Sequence, residues 1–64
     1  MNSTILEAIT DPRSGDYDDG QGMVHCLAYT KEGPIEIGGY NIHIATTKEQ
    51  RNHISREIWS RFVQ

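Results

Sequence analysis

The C-terminal third of the chain carries the clearest hydrophobic pattern. Ile54, Ile58 and Phe62 recur every fourth residue, and Thr47 and Arg51 extend the same stripe toward the N-terminus. A repeat of four with polar residues between is typical of an amphipathic helix. The pattern therefore predicts a helix over residues 47–63 that packs one face on the rest of the protein.

Two overlapping motifs mark the start of this helix. Thr46 is followed three residues later by Glu49, and Thr47 by Gln50. Either pair forms a capping box, in which the hydroxyl and the Glu or Gln side chain satisfy backbone N–H groups at the helix start. The sequence leaves the choice between the two registers open.

Two strand-like runs precede the helix. Residues 23–30, MVHCLAYT, are rich in β-branched, aromatic and apolar side chains and end at the turn signal KEGP. The second run, residues 34–45, sets Gly38 and Gly39 among isoleucines. Together the two runs predict a β-hairpin.

The glycine pair in the second run has two structural interpretations. As a two-residue hairpin loop it pairs Ile37 with Tyr40 and Ile35 with Ile42. As a bulge in one long strand it shifts the alternation of side chains by one residue. Both interpretations place one set of residues on the same face: Ile35, Ile37, Tyr40, Ile42 and Ile44. The opposite face, predicted to be the solvent side, carries Glu36, Asn41 and His43.

The length of the turn between the runs decides which residues of the first run join the isoleucine face. A three-residue turn aligns Leu27 and Tyr29 with the isoleucines, and a four-residue turn aligns Cys26 and Ala28. Pro34 has no N–H and favours a place inside the loop. The sequence leaves both turn lengths open.

The stretch before MVHCLAYT is acidic. Its beginning, NSTILEAITDP, fits a short helix with Thr4 and Glu7 as a capping box and Pro12 after its end. It fits an edge strand through Ile5, Glu7 and Ile9 equally well. The following DPRSGDYDDGQG is polar and rich in glycine, and we expect a flexible loop there.

These elements predict one small α+β domain over residues 1–64. A two- or three-stranded antiparallel β-meander lies over residues 23–45 and is packed by the C-terminal amphipathic helix, so that residues 23–64 form the core. Residues 1–22 form an acidic N-terminal segment that includes the short helix, if one forms.

A domain of this size has a thin core. A chain of about 60 residues buries only about 60% of the surface that it exposes when unfolded, and such a core supplies roughly 3–5 kcal/mol of net stability. We therefore expect a homodimer, formed through Trp59, Val63 or an exposed strand edge.

Charge and cysteine content indicate the class of protein. The net charge is −3, with five acidic residues against one arginine in residues 1–22 and four basic residues against two acidic ones in residues 46–64. A nucleic-acid binder would therefore depend on the terminal helix alone. Cys26 is the single cysteine, and the chain has neither a long apolar run nor a secretory signal, so we expect a cytoplasmic protein without a membrane segment.

The sequence predicts no cofactor and no metal. IGGYNIH has neither the dinucleotide nor the Walker spacing. The possible zinc ligands are His25, Cys26, His43 and His53. They lack the paired short spacings of a structural zinc site. SGDYDDGQG matches a calcium loop only in part, because its third ligand position falls on Gly20 and its twelfth on Leu27.

The sequence also predicts no catalytic residues and no enzymatic activity. Ser55 and Cys26 are nucleophiles by type, but a small sheet with one or two helices leaves little room for a substrate pocket.

Two regions are candidates for binding a partner. The acidic stretch supplies Asp16, Tyr17, Asp18 and Asp19, with the tyrosine as an aromatic anchor. The exposed side of the helix supplies Arg56, Trp59 and Val63. An alternative nucleic-acid site uses the basic residues of the same helix: Lys48, Arg51, Arg56 and Arg61. Arg51 lies on the apolar stripe, where its aliphatic stem is expected to cover core atoms.

Residues 46–55, TTKEQRNHIS, resemble the start of the last helix in DinI-type SOS-response proteins, which are small α/β regulators. The acidic C-terminal end usual in that family is replaced here by SRFVQ. In size and composition the chain is also similar to accessory proteins that phages and mobile elements encode against host machinery. The predicted function is a non-catalytic module that inhibits or modulates a host protein, with a small nucleic-acid-binding regulator as the alternative.

Overall fold

The computed structural model describes residues 3–63, with the side chains of residues 3–6 outside that description. Five elements follow one another along the chain: α1 (Ser3–Thr10), β1 (Gly15–Asp18), β2 (Met23–Thr30), β3 (Gly33–Asn41) and α2 (Lys48–Val63). The strands form one antiparallel sheet in the order β1-β2-β3. The predicted α+β class, with a β-meander, a C-terminal helix and a short N-terminal helix, is confirmed.

The start of α2 confirms one of the two capping registers. The backbone N–H of Gln50 donates to Thr47 Oγ1 at 3.1 Å, and the N–H of Thr47 donates to Gln50 Oε1 at 3.1 Å. This reciprocal pair is a capping box. It explains why regular helix begins at Lys48.

At the N-terminus the helix is the correct alternative, and the edge strand is wrong. Asp11 N–H donates to the Ala8 carbonyl just after the end of α1, and Pro12 follows. The proposed capping box of Thr4 and Glu7 involves the Thr4 side chain, which lies outside the described residues.

The prediction of a loop over the acidic stretch is wrong for residues 15–18, which form β1. Asp16 pairs with Cys26, and Asp18 with Val24. The turn into β2 is held by carboxylates, since Asp18 Oδ1 accepts from the Gly20 N–H at 2.8 Å. The sequence of β1, GDYD, has no alternating apolar residues that would predict a strand. In the structure, three of its four residues are exposed.

The glycine pair forms a bulge within one long strand and not a hairpin loop. Cys26 pairs with Gly38 and Leu27 with Glu36, so Ile37 is the extra residue. A Cβ on Gly39 would lie 2.8 Å from the backbone oxygen of Val24, and one on Gly38 would lie 2.8 Å from Ile58 Cγ2. Glycine is therefore needed where β2 and α2 approach this strand most closely.

The β2–β3 turn has two residues, Lys31 and Glu32, so both predicted lengths are wrong. A two-residue turn has the same parity as a four-residue one, and Ala28 therefore pairs with Ile35 on the isoleucine face. Pro34 lies in β3 opposite Tyr29 and not in the loop.

The helices cover one face of the sheet. The buried residues among those described are Ala8, Val24, Cys26, Ala28 and Ala45. No described residue of α2 is fully buried, so the core is thin. The second run ends as a strand at Asn41, and Ile44 in the following turn is 77% exposed. The expectation that Ile42 and Ile44 continue the strand is therefore wrong.

Candidate functional site

A polar cluster joins the acidic strand to the C-terminal helix. Asp16 Oδ1 accepts a hydrogen bond from Trp59 Nε1 at 3.1 Å, and Asp16 Oδ2 accepts one from the Ser55 hydroxyl. Ser55 and Trp59 lie one helical turn apart and so face the same way. Asp16 lies on the helix-covered face because it pairs with the buried Cys26.

This cluster determines the chemistry of the only cysteine in the sequence. Burial, with a hydrogen bond to the Asp16 carboxylate as the second cause, raises the pKa of the Cys26 thiol to about 12. A thiol of that pKa is protonated at neutral pH and is a poor nucleophile. The arrangement therefore fixes β1 against α2 and does not activate Cys26.

Asp19, in the turn after β1, interacts on the open face of the sheet with one residue of β2 and one of β3. His25 Nδ1 lies 2.7 Å from Glu36 Oε1, and His25 Nε2 lies 3.1 Å from Asp19 Oδ2. Asp19, and secondarily Glu36, raises the pKa of His25. The pKa of Asp19 is lowered, chiefly by the backbone N–H of Gln21 and then by His25. Each ring nitrogen faces a carboxylate, and this geometry favours the imidazolium.

Tyr17 lies on the open face and is 42% exposed. Its hydroxyl donates to the backbone oxygen of Arg13. The Arg13 guanidinium lies over the Tyr29 ring at 4.6 Å and forms an ion pair with Asp11 at 2.9 Å. The predicted aromatic anchor is thus fixed in place and accessible from the β1 edge.

The predicted contact residues of the helix lie on the β1 side and the solvent side of α2. Trp59 makes an edge-to-face contact with Phe62 at 5.9 Å. Arg56 is exposed and Val63 is half-buried. Because Trp59 is hydrogen-bonded to Asp16, the acidic strand and this side of the helix adjoin. The structure therefore joins the two predicted regions through Asp16 and Trp59, while Tyr17 and Asp19 lie toward the open face of the sheet. We call the whole predicted set the β1 surface: Asp16, Tyr17, Asp18, Asp19, Arg56, Trp59 and Val63.

The basic residues proposed for nucleic acid do not share a face. Arg51, Arg56 and Arg61 follow one another at five-residue steps, which rotate about 140° each around a helix. Arg51 Nη1 donates to the carbonyls of Ala45 and Thr46, and Arg61 lies 3.7 Å from Glu57. Lys48 is exposed in the first turn. A strip of phosphates would meet these cations on different sides of α2.

The possible zinc ligands are also dispersed. His25 and Cys26 point to opposite faces of β2, and His53 pairs with Glu57 at 3.2 Å on α2. His43 lies in the turn after β3. Within residues 3–63, no three His, Cys, Asp or Glu side chains are grouped as metal ligands would be.

An apolar groove lies at the opposite edge of the sheet, between β3 and the second half of α2. Its volume is about 520 Å³. The residues that line it are Ile35, Ile37, Gly38, Gly39, Ile58, Arg61 and Phe62. Ile35 is 46% exposed. An exposed apolar patch of this kind is typical of an interaction site.

Sequence reasoning missed Ser55 and Glu36 as functional neighbours. Ser55 is a polar residue next to the apolar stripe, and its role depends on β1, which carries no strand signal. Glu36 meets His25 only in the register that the bulge creates. The spacing of Ser55 and Trp59 by one turn was the available signal for a shared polar partner.

No family model, no curated protein and no solved structure matches this chain. The likeness of residues 46–55 to DinI-type proteins thus stays a local one. Among residues 3–63, no helix is long and apolar enough to cross a membrane.

Proposed function

We propose that this protein is a non-catalytic binding module that inhibits or modulates a host protein through its β1 surface. The observation that carries the proposal is the Asp16–Trp59 hydrogen bond at 3.1 Å. It joins an acidic strand and an aromatic helix side, which are far apart in sequence, at one edge of the sheet.

The charges and aromatic groups of this surface suit a protein partner. The Asp16 and Asp18 carboxylates lie on the helix-covered side of β1 and Tyr17 on the other, so one partner at the edge contacts both. His25 faces both Asp19, at 3.1 Å, and Glu36, so when protonated it offsets one of these two negative charges. Tyr and Trp are enriched at binding hot spots, and an acidic rim speeds encounter with a basic partner.

The proposed setting follows from size and composition. An acidic chain of 64 residues with a thin core resembles the accessory proteins by which phages and mobile elements disable host machinery. Such a protein acts in the cytoplasm of the host cell. This part of the proposal is an analogy from composition, because fold alone does not establish function.

Charge variants that leave the fold intact test the surface. Asp18→Asn keeps the Oδ1 acceptor of the turn and removes the charge, and Arg56→Glu lies on the solvent side of α2. Combined, they are expected to weaken partner capture by about tenfold or more. Glu32→Gln, in the β2–β3 turn, is the matched control and should leave capture unchanged. Equal capture by the double variant and the wild type contradicts the proposal.

The rival function, a nucleic-acid-binding regulator, has less support because its cations are dispersed around α2. It predicts an affinity for duplex DNA or RNA that falls steeply with salt. Titration of labelled duplex at low and physiological salt separates the two functions, since a module that binds only a protein shows no salt-dependent binding of duplex.

A further inference from the structure

We propose that the β3 edge and the groove beside it bind a second copy of this chain, strand against strand around a two-fold axis. This interface lies at the edge opposite the β1 surface. It goes beyond the proposed function and does not depend on it.

The backbone of β3 has unpaired groups on its outer side. The Tyr29 N–H donates to Ser14 Oγ at 2.9 Å on the β1 side, so the Tyr29–Pro34 pair is not hydrogen-bonded between β2 and β3. By alternation, Pro34 and Glu36 point their backbone groups away from β2, and past the bulge Gly39 does so as well.

The two ends of this edge are protected, and its middle is not. Pro34 has no N–H to offer. The Asn41 carbonyl already accepts from the N–H groups of Ile44 and Ala45 at 3.0 and 3.1 Å. The unpaired stretch between them includes Glu36 and Gly39, and an open strand edge is a template for pairing with another strand.

The apolar residues that line the groove suit the pairing of β3 with β3 of a second copy. Ile35 and Ile37 lie on the helix side of β3, and Ile58 and Phe62 form the opposite wall. In a two-fold pairing, the isoleucines of the second copy occupy the same side of the joined sheet. They would cover Ile35, which is 46% exposed in the single chain.

The charges beside the groove are complementary to themselves. Glu57 and Arg61 lie on the β3 side of the apolar stripe, one turn apart on α2. The helix runs antiparallel to β3, since Arg51 meets Ala45, Ile58 lies over Gly38, and Phe62 lies near Ile35. A two-fold axis between the levels of Glu57 and Arg61 therefore sets each arginine against the glutamate of the other copy.

This charge pattern favours a second copy over a foreign peptide. Arg61 lines the groove and its matching anion, Glu57, lies beside it four residues earlier, so an antiparallel copy can pair with both charges. The same pairing extends a core in which no described residue of α2 is fully buried. Trp59 and Val63 lie outside this interface, because they are on the other side of α2.

Complementary charge reversals test the interface by sedimentation of the full chain over roughly 1–500 µM, where association depends on concentration. Wild type is expected to form a dimer. Arg61→Glu and Glu57→Arg each place like charges across the axis, and each is expected to weaken dimerisation at least about tenfold. An equimolar mixture of the two variants restores opposite charges and is expected to form a heterodimer as tight as the wild-type dimer.

Arg56→Glu is the matched control, with the same charge change on the solvent side of α2, and should dimerise as wild type does. Circular dichroism of each variant verifies that the fold is kept. A wild-type chain that stays monomeric at the highest concentration overturns the proposal, including the case in which the groove takes a segment of another protein. A dimer that ignores both reversals, or variants whose mixture stays monomeric, overturns it as well.

Discussion

The Asp16 carboxylate accepts a hydrogen bond from the indole Nε1 of Trp59 at 3.1 Å, across 43 positions of sequence. The other oxygen of the same carboxylate accepts from Ser55. A short edge strand of four residues has few backbone bonds to hold it. This one side chain therefore does much to keep β1 against α2 and to form the β1 surface.

Asp16→Ala is expected to loosen that contact. The indole loses its acceptor, so we expect a red-shifted Trp59 emission, easier iodide quenching and a loss of about 1–2 kcal/mol in the free energy of unfolding. Fluorescence and urea denaturation measure these quantities. Asp18→Ala is the control, because Asp18 bonds to the turn at Gly20 and not to the helix. An unchanged emission spectrum in Asp16→Ala would show that the contact does not hold Trp59.

Gly39→Ala is expected to destabilise the sheet by about 1–3 kcal/mol, because the added methyl group would meet the rigid backbone oxygen of Val24. Gly38→Ala meets only the side chain of Ile58, so trimming that residue in Gly38→Ala/Ile58→Ala should make the two changes less than additive. Urea denaturation of the wild type, Gly38→Ala, Ile58→Ala and the double variant measures this coupling. Gly15→Ala, with no atom within 4 Å of its added Cβ, is the control. A Gly39→Ala protein as stable as Gly15→Ala would contradict the bulge geometry.

The two carboxylates that flank His25 make the free energy of unfolding depend on pH. Because the folded pKa of His25 is raised above its ordinary value of 6.5, the stabilisation is fully present below pH 6.5 and is lost as pH rises through the folded pKa. Urea denaturation between about pH 6 and pH 8.5 should show a decreasing free energy of unfolding. His25→Gln should flatten this dependence. A wild-type profile that rises over this range would refute the assignment.

Cys26 should react with thiol reagents only when the fold opens. Its pKa of about 12 and its burial both suppress the thiolate, so modification at pH 8 should be slower than in the urea-unfolded chain by a factor on the order of 100 or more. The rate of disulfide exchange with an aromatic disulfide reagent measures this directly. Native and unfolded rates within a few-fold of each other would show that Cys26 is accessible.

The sequence could predict the elements whose signals are local. The period of Ile54, Ile58 and Phe62 and the capping motif at Thr47 gave α2 to within one residue of its start. The isoleucines around Gly38 also predicted that Ile35 and Ile37 share a face of the sheet. That prediction did not depend on the turn type, because a bulge and a hairpin loop shift the alternation of side chains in the same way.

The rest depended on contacts between distant residues. β1 has no apolar alternation, and it is a strand because β2 offers it an edge and because Asp18 and Asp19 satisfy the backbone of the turn. The sequence predicts the acidic stretch and the helix side as separate regions, and they adjoin because the pairing of Asp16 with Cys26 lets the Asp16 carboxylate accept from Trp59. The β2–β3 turn and the place of Pro34 likewise follow from a register that local composition does not encode.

The most direct test of the proposed function is affinity capture by the tagged full chain from lysate of its native cell, with and without nuclease. A binding module predicts one protein recovered in near-stoichiometric amount after nuclease treatment and lost with the Asp18→Asn/Arg56→Glu variant. Recovery of nuclease-sensitive material alone, or of a protein that the variant binds equally well, would contradict the account of the β1 surface.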